Sequence, residues 1–166
     1  MRRLGLALPV LLAACVAPSA PPPPPPTPTL RPAPPPPPPA PLPADWRDRA
    51  YAPGDWSYAR TGGLSEAAYG APGAPRLTLS CDPRSGQLRL NWRDVSTGPI
   101  TVRTTYGDVV RQTQSVGGVL HLVIATRDPL LDQMAYSRGR FMLAAGGQEL
   151  IVPAWPEVAR VVEDCR

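Results

Sequence analysis

Sixteen of the chain's 26 prolines fall between positions 21 and 43, and they include two unbroken runs at 21–26 and 34–39. No other feature restricts the fold so strongly. Proline holds φ at about −65° and has no backbone N–H to donate. This stretch can therefore join neither a helix nor a sheet ladder. It is expected to run as polyproline II, a semi-rigid spacer that rises about 3.1 Å per residue and reaches about 70 Å in all. A folded core must come from the residues beyond it. Residues 44–166 suffice for one modest domain and are too few for two.

The spacer also distorts the charge balance. The whole chain carries +4, which suggests a basic protein drawn to nucleic acid. Arg2, Arg3 and Arg31 all lie ahead of the domain, however, and residues 44–166 hold 14 Arg against 13 acids. At about +1, that domain argues against an electrostatic nucleic-acid binder.

The first residues read as an address. Met1-Arg2-Arg3 is cationic, positions 4–12 are apolar, and small residues follow in Leu12-Ala13-Ala14-Cys15. This is the layout of a secretory signal, and its apolar run is far short of the roughly 20 residues that a spanning helix needs. Leu12-Ala13-Ala14-Cys15 resembles the lipobox of bacterial lipoproteins. That resemblance implies a signal peptide at 1–14, cleavage before Cys15, a diacylglycerol on the Cys15 sulfur and palmitate-type acylation of the new amino group. Val16 is not the Asp that commonly retains such proteins in the inner membrane. The implied address is the outer membrane of the cell envelope, with the chain facing the periplasm. Two or three acyl chains anchor stably. Positions 15–43 are then a lipidated cysteine and a proline-rich tether, and 44–166 the periplasmic domain.

Within the domain, Leu77, Leu79 and Cys81 alternate with polar residues, as do Leu88, Leu90 and Trp92. Asp82-Pro83-Arg84-Ser85-Gly86 between them is a turn by composition, so the two runs predict a hairpin. Ile100, Val102 and Thr104 repeat the pattern, a weaker strand is expected at 109–113, and the apolar run at 119–125 suits a buried central strand. A strand at 55–59 is the least marked. Asp128 followed by Pro129 opens a helix whose stripe is Leu130, Leu131, Met134 and Ala135, with Gly139 as its left-handed cap. A second hairpin is expected at 141–144 and 149–152 around Gly146-Gly147, and a last helix from Pro156 with Val158, Val161 and Val162 on one face. The expected fold is mainly β (α+β): an antiparallel β-sandwich or partial barrel with two short helices.

With Cys15 assigned to lipid, Cys81 and Cys165 remain, and an oxidising compartment favours a disulfide between them. Free redox or metal-binding thiols are the alternative, although there is no CxxC and only one His.

No catalytic signature stands out. His121, the sole histidine, sits inside an apolar strand, where a packed or edge-facing role is the ordinary one. Asp128 and Asp132 at i, i+4 and Glu163-Asp164 are the acid pairs a glycan hydrolase could use. Neither a catalytic residue nor a cofactor or metal is assigned. The arginines are more suggestive. Arg76, Arg89, Arg93 and Arg103 occupy the polar phase of their strands and could form one surface for phosphates or acidic glycans if those strands are neighbours. Tyr136-Ser137-Arg138-Gly139-Arg140-Phe141 is the densest polar-aromatic cluster, in which Tyr136, Arg138 and Arg140 could form a recognition loop.

Leu79-Ser80-Cys81, Leu130-Leu131-Asp132-Gln133-Met134 and the strand from Phe141 are similar to periplasmic domains of the invasion-associated locus B type. No function transfers from that likeness. Ser137-Arg138-Gly139-Arg140-Phe141 resembles the Ser/Gly/Arg/Tyr-type loop of membrane-bound lysozyme-inhibitor lipoproteins. The resulting expectation is a membrane-anchored envelope protein with a non-catalytic binding or structural role. Its candidate partners are the membrane through its lipid, an envelope protein, lipopolysaccharide or peptidoglycan, and not nucleic acid. The alternatives are a lysozyme-type hydrolase inhibitor and an envelope hydrolase.

Overall fold

A computed structural model describes residues 45–93, 95 and 97–166. The expected signal peptide, the expected lipidation site Cys15, Arg31 and the proline-rich stretch lie outside the described residues. The described strands are β1 (Asp55–Thr61), β2 (Leu64–Ala71), β3 (Ala74–Asp82), β4 (Gln87–Arg93), β5 (Ile100–Thr104), β6 (Gly107–Arg111), β7 (Gln114–Val116), β8 (Val119–Ala125), β9 (Arg140–Ala145) and β10 (Gln148–Pro153). Two helices, α1 (Pro129–Ala135) and α2 (Pro156–Asp164), complete the fold. The first sheet has the order β1-β2-β3-β4-β8-β7 and the second β10-β9-β5-β6, with antiparallel pairing throughout.

Alternation builds each sheet. The β3–β4 hairpin sets Leu79 opposite Leu90 and Cys81 opposite Leu88, all of them buried. Its turn works as composition implies. The Asp82 carboxylate accepts from the Arg84 N–H at 3.1 Å, Pro83 fills a position that needs no donor, and Gly86 adopts φ +61°. The inward residues of both sheets join the helices in a single core that includes Trp92, Leu120, Val102, Phe141 and Leu131. Two facing antiparallel sheets therefore form a sandwich.

Helix α2 lies against the inner side of β1, β2 and β3. Its Val158, Val161 and Val162 are buried, and each contributes roughly 1.5–3 kcal/mol by leaving water. Ser65 and Ala67 face inward on β2, and side chains this small leave room for the helix. Cys81 on β3 and Cys165, just past α2, form a disulfide. On the outer face of the second sheet, Trp46 packs on Met142, Ile151 and Ala144. The chain then runs on to the Ala52 N–H, which donates to the Ile151 carbonyl at 2.8 Å.

Three features depart from the sequence expectations. First, β1 extends beyond 55–59 and pairs with β2, a strand the sequence did not reveal. β7, a further strand the sequence did not reveal, has three residues. Second, β8 is not buried on both sides. Leu120, Leu122 and Ile124 face the core, whereas His121 and Val123 face outward, because β8 has sheet neighbours but, among the described residues, no layer over its outer face. Third, α1 closes at Tyr136, whose N–H reaches the Asp132 carbonyl, and Gly139 (φ +76°) instead turns the chain into β9. Of the two expected architectures, the sheets form the sandwich and do not close into a barrel.

Candidate functional site

The loop at 136–139 joins α1 to β9, and hydrogen bonds from the buried Ser137 and from Thr105 hold it in place. Ser137 is buried; its hydroxyl donates to the Arg140 carbonyl and accepts from the Thr105 N–H at 3.0 Å. The Thr105 hydroxyl in turn accepts from the Arg138 N–H at 3.0 Å. The loop is thus stitched to the turn between β5 and β6. That turn is itself ordered by Thr104, whose hydroxyl accepts from the Tyr106 N–H at 3.1 Å and donates to the Gly107 carbonyl at 3.2 Å.

Aromatic side chains surround this loop. Tyr106 is 63% exposed and Tyr136 54%, and the Tyr106 hydroxyl donates to the Tyr136 carbonyl at 3.3 Å. The Tyr51 hydroxyl donates to the Gly139 carbonyl at 3.2 Å. The same carbonyl accepts from the Ala154 N–H at 3.2 Å, which brings the exposed Trp155 alongside. Arg138 is exposed and makes no ion pair or ring contact among the described residues. The result is an unpaired arginine on a loop whose backbone is already ordered and to which exposed aromatic residues are tied.

The remaining sequence candidates separate. Arg140 serves the structure: its guanidinium lies 4.3 Å over the Tyr51 ring and donates to the Arg49 carbonyl. Phe141 is in the core. Arg76, Arg89 and Arg93 belong to the first sheet, but Arg103 is on β5 in the second and is paired with Asp108 at 3.0 Å. The expected four-arginine surface therefore loses Arg103, because β5 pairs with β6 and β9 and not with β4. Tyr51, Tyr106 and Trp155 were not singled out as binding residues from the sequence. They come from three separate segments, and only the fold brings them to one loop.

His121 faces outward, with Nδ1 2.7 Å from the Asn91 Oδ1. Asn91 Nδ2 donates to the Thr78 hydroxyl at 3.1 Å, so Oδ1 is turned to His121 and accepts its N–H. The row across the sheet reads Ser57, Ala68, Thr78, Asn91, His121, Gln114. Asn91 thus stands between the imidazole and the Thr78 hydroxyl, and this is not the geometry of a base beside its nucleophile. The acid pairs are engaged elsewhere. Asp128 caps α1 and pairs with Arg111 at 3.1 Å, and Asp132 pairs with Arg166 at 2.9 Å. Asp164 accepts from Tyr58, and Glu163 from Tyr136. Two open depressions of about 540 and 400 Å³ lie on the outer side of the first sheet and share Glu66. Among the described residues, no cluster of three or more His, Cys, Asp or Glu side chains could hold a metal ion.

No protein family, curated protein or solved structure matches the chain.

Proposed function

We propose that the chain is a lipid-anchored protein of the bacterial outer membrane, facing the periplasm, whose sandwich domain binds an envelope protein without catalysing a reaction. The observation that carries this reading is the exposed, unpaired Arg138 on an ordered loop whose carbonyls accept from the exposed Tyr51 and Tyr106. Tyr, Trp and Arg are the residues that concentrate binding energy at protein interfaces, where ordered anchors reduce the entropy lost on docking. The lipobox-like Cys15 and the proline-rich spacer support the address.

Crosslinking the full chain in envelope fractions tests the binding surface. Partners captured by the wild type should be lost with Arg138→Ala/Tyr106→Ala and kept with Arg127→Ala. An unchanged set of partners in the double variant would overturn the assignment. Labelled palmitate tests the anchor: Cys15→Ser should take up none and should leave the membrane fraction, and uptake by that variant would refute lipidation at Cys15.

A second reading, inhibition of a glycan hydrolase such as lysozyme, draws on the same loop. Glycan hydrolases work with paired carboxylates, and a guanidinium on a loop fixed by Ser137 is a complementary probe for such a cleft. Near-stoichiometric loss of lysozyme activity, abolished by Arg138→Ala, is the expected result; full activity in excess protein would exclude it.

A further inference from the structure

The outward side of the first sheet divides into halves of different charge. Its β1 and β2 half presents Asp55 and Glu66, whereas β4, β7 and β8 contain no acidic residue. Along β4, Arg89, Asn91 and Arg93 face outward between the buried Leu88, Leu90 and Trp92. Arg76 directly precedes Leu77, the partner of Trp92, and so lies at the end of β3 nearest Arg93, at the bulge opposite Gly70. The one acid on β3 is Asp82; Arg84 holds its carboxylate with two side-chain hydrogen bonds, and Arg89 adds a weaker charge attraction without forming an ion pair. Arg76, Arg89 and Arg93 form no ion pair among the described residues. Beside them the apolar Val116 is 65% exposed and Val123 50%.

We propose that this half-face, carried by β3, β4, β8 and β7, seats on a bilayer surface rich in anionic phospholipid. Arg76, Arg89 and Arg93 meet the headgroup phosphates, and Val116 and Val123 reach the boundary with the acyl chains. Guanidinium groups bind phosphate oxygens bidentately. Anionic leaflets attract basic side chains within a Debye length of the surface. A phosphate in solution would answer the arginines alone and leave both valines in water; a membrane surface answers both. This contact uses a different surface from the one around Arg138 and stands or falls separately.

The test uses the full chain with Cys15→Ser, so that no lipid anchor contributes, sedimented with vesicles of phosphatidylcholine with or without phosphatidylglycerol. Retention should need phosphatidylglycerol and weaken as salt is raised. Arg76→Gln/Arg89→Gln/Arg93→Gln should bind roughly ten- to a hundredfold more weakly, and Val116→Ser/Val123→Ser should bind measurably more weakly with its charges intact. Arg47→Gln/Arg60→Gln/Arg127→Gln, with the same change of charge elsewhere, should bind as the parent does. Equal loss in that control would reduce the effect to net charge and overturn the proposal. So would unaltered binding by the valine variant, or retention on phosphate-free peptidoglycan in place of the vesicles. Arg93→Gln alone, at an outward position without an ion pair among the described residues, should melt no lower than the parent, which checks that substitutions on this face leave the fold intact.

Discussion

The indole of Trp56 donates a hydrogen bond to the Pro153 carbonyl at 2.8 Å, across 97 positions of sequence. Trp56 is on β1, at one edge of the first sheet, and Pro153 ends β10, at one edge of the second. A buried side-chain bond therefore closes this flank of the sandwich where no ladder does. The ring also packs 5.2 Å from Tyr69. Trp56→Phe should cost about 1–3 kcal/mol, because the buried carbonyl loses its donor. Urea unfolding measures the loss, and hydrogen exchange should speed up in β1 before β4.

The Cys81–Cys165 bridge closes a span of 84 positions. In the chain-entropy account its removal costs about 4–5 kcal/mol. Cys81→Ala/Cys165→Ala should lower the unfolding midpoint by that order, and reductant should lower the wild type alone. Equal sensitivity of both proteins to reductant would show that the bridge does not carry this stability.

Burial raises the Tyr69 phenol above its ordinary value, with Asp55 adding to the shift. The hydroxyl donates to the Ala52 carbonyl, so the neutral form belongs to the native state. The unfolded phenol ionises at about pH 10. The stabilisation is thus complete below about pH 10 and is lost as pH rises through the higher folded value. Tyr58, raised chiefly by its hydrogen bond to Asp164, acts in the same window. Unfolding curves from about pH 8 to pH 12 should fall less steeply for Tyr69→Phe than for the wild type.

Gly70 adopts φ +140° at the bulge between β2 and β3, and a Cβ there would lie 2.9 Å from the Arg76 nitrogen. Gly54 faces it, with its own Cβ position 2.6 Å from the Gly70 Cα. Both obstacles are backbone and cannot rotate away. Gly70→Ala should destabilise by about 1–3 kcal/mol, seen as a drop in melting temperature. Gly63→Ala, at a turn with open space around it, should cost less.

Ser137→Ala separates order from charge at the proposed binding loop. It removes the hydroxyl that joins the Arg140 carbonyl to the Thr105 N–H and leaves Arg138 in place. Stability should fall by about 1–2 kcal/mol, and partner capture should weaken although no contacting side chain has changed. Capture at the wild-type level would show that the ordering of the loop does not matter.

Residues that alternate cleanly announced their strands. Leu77, Leu79 and Cys81 with Leu88, Leu90 and Trp92 marked the central hairpin, and Asp128-Pro129 marked the start of α1. β2 stayed hidden because its inward residues include Ser65 and Ala67, which are small to admit α2, so the strand lacks an apolar signature. The apolar run of β8 suggested burial on both faces, but Val123 lies on the open side. Arg138 and Tyr136 lie two positions apart in sequence and could be read there. Tyr51, Tyr106 and Trp155 join them through the Gly139 and Tyr136 carbonyls, which depends on how β10 and the β5–β6 turn approach the loop.

The seat of Trp46 on the second sheet also has a mechanical meaning. Tension applied to the chain ahead of Asp45 meets this anchor first, then the Arg49–Glu149 pair and the Ala52–Ile151 bond, before it reaches β1. These contacts would peel one after another, whereas β1 must be torn from a seven-pair register with β2. Residues 45–54 could thus release about 33 Å of slack while the sandwich stays whole. In the proposed lipid-anchored state, this segment would act as a fuse that gives way before the fold does.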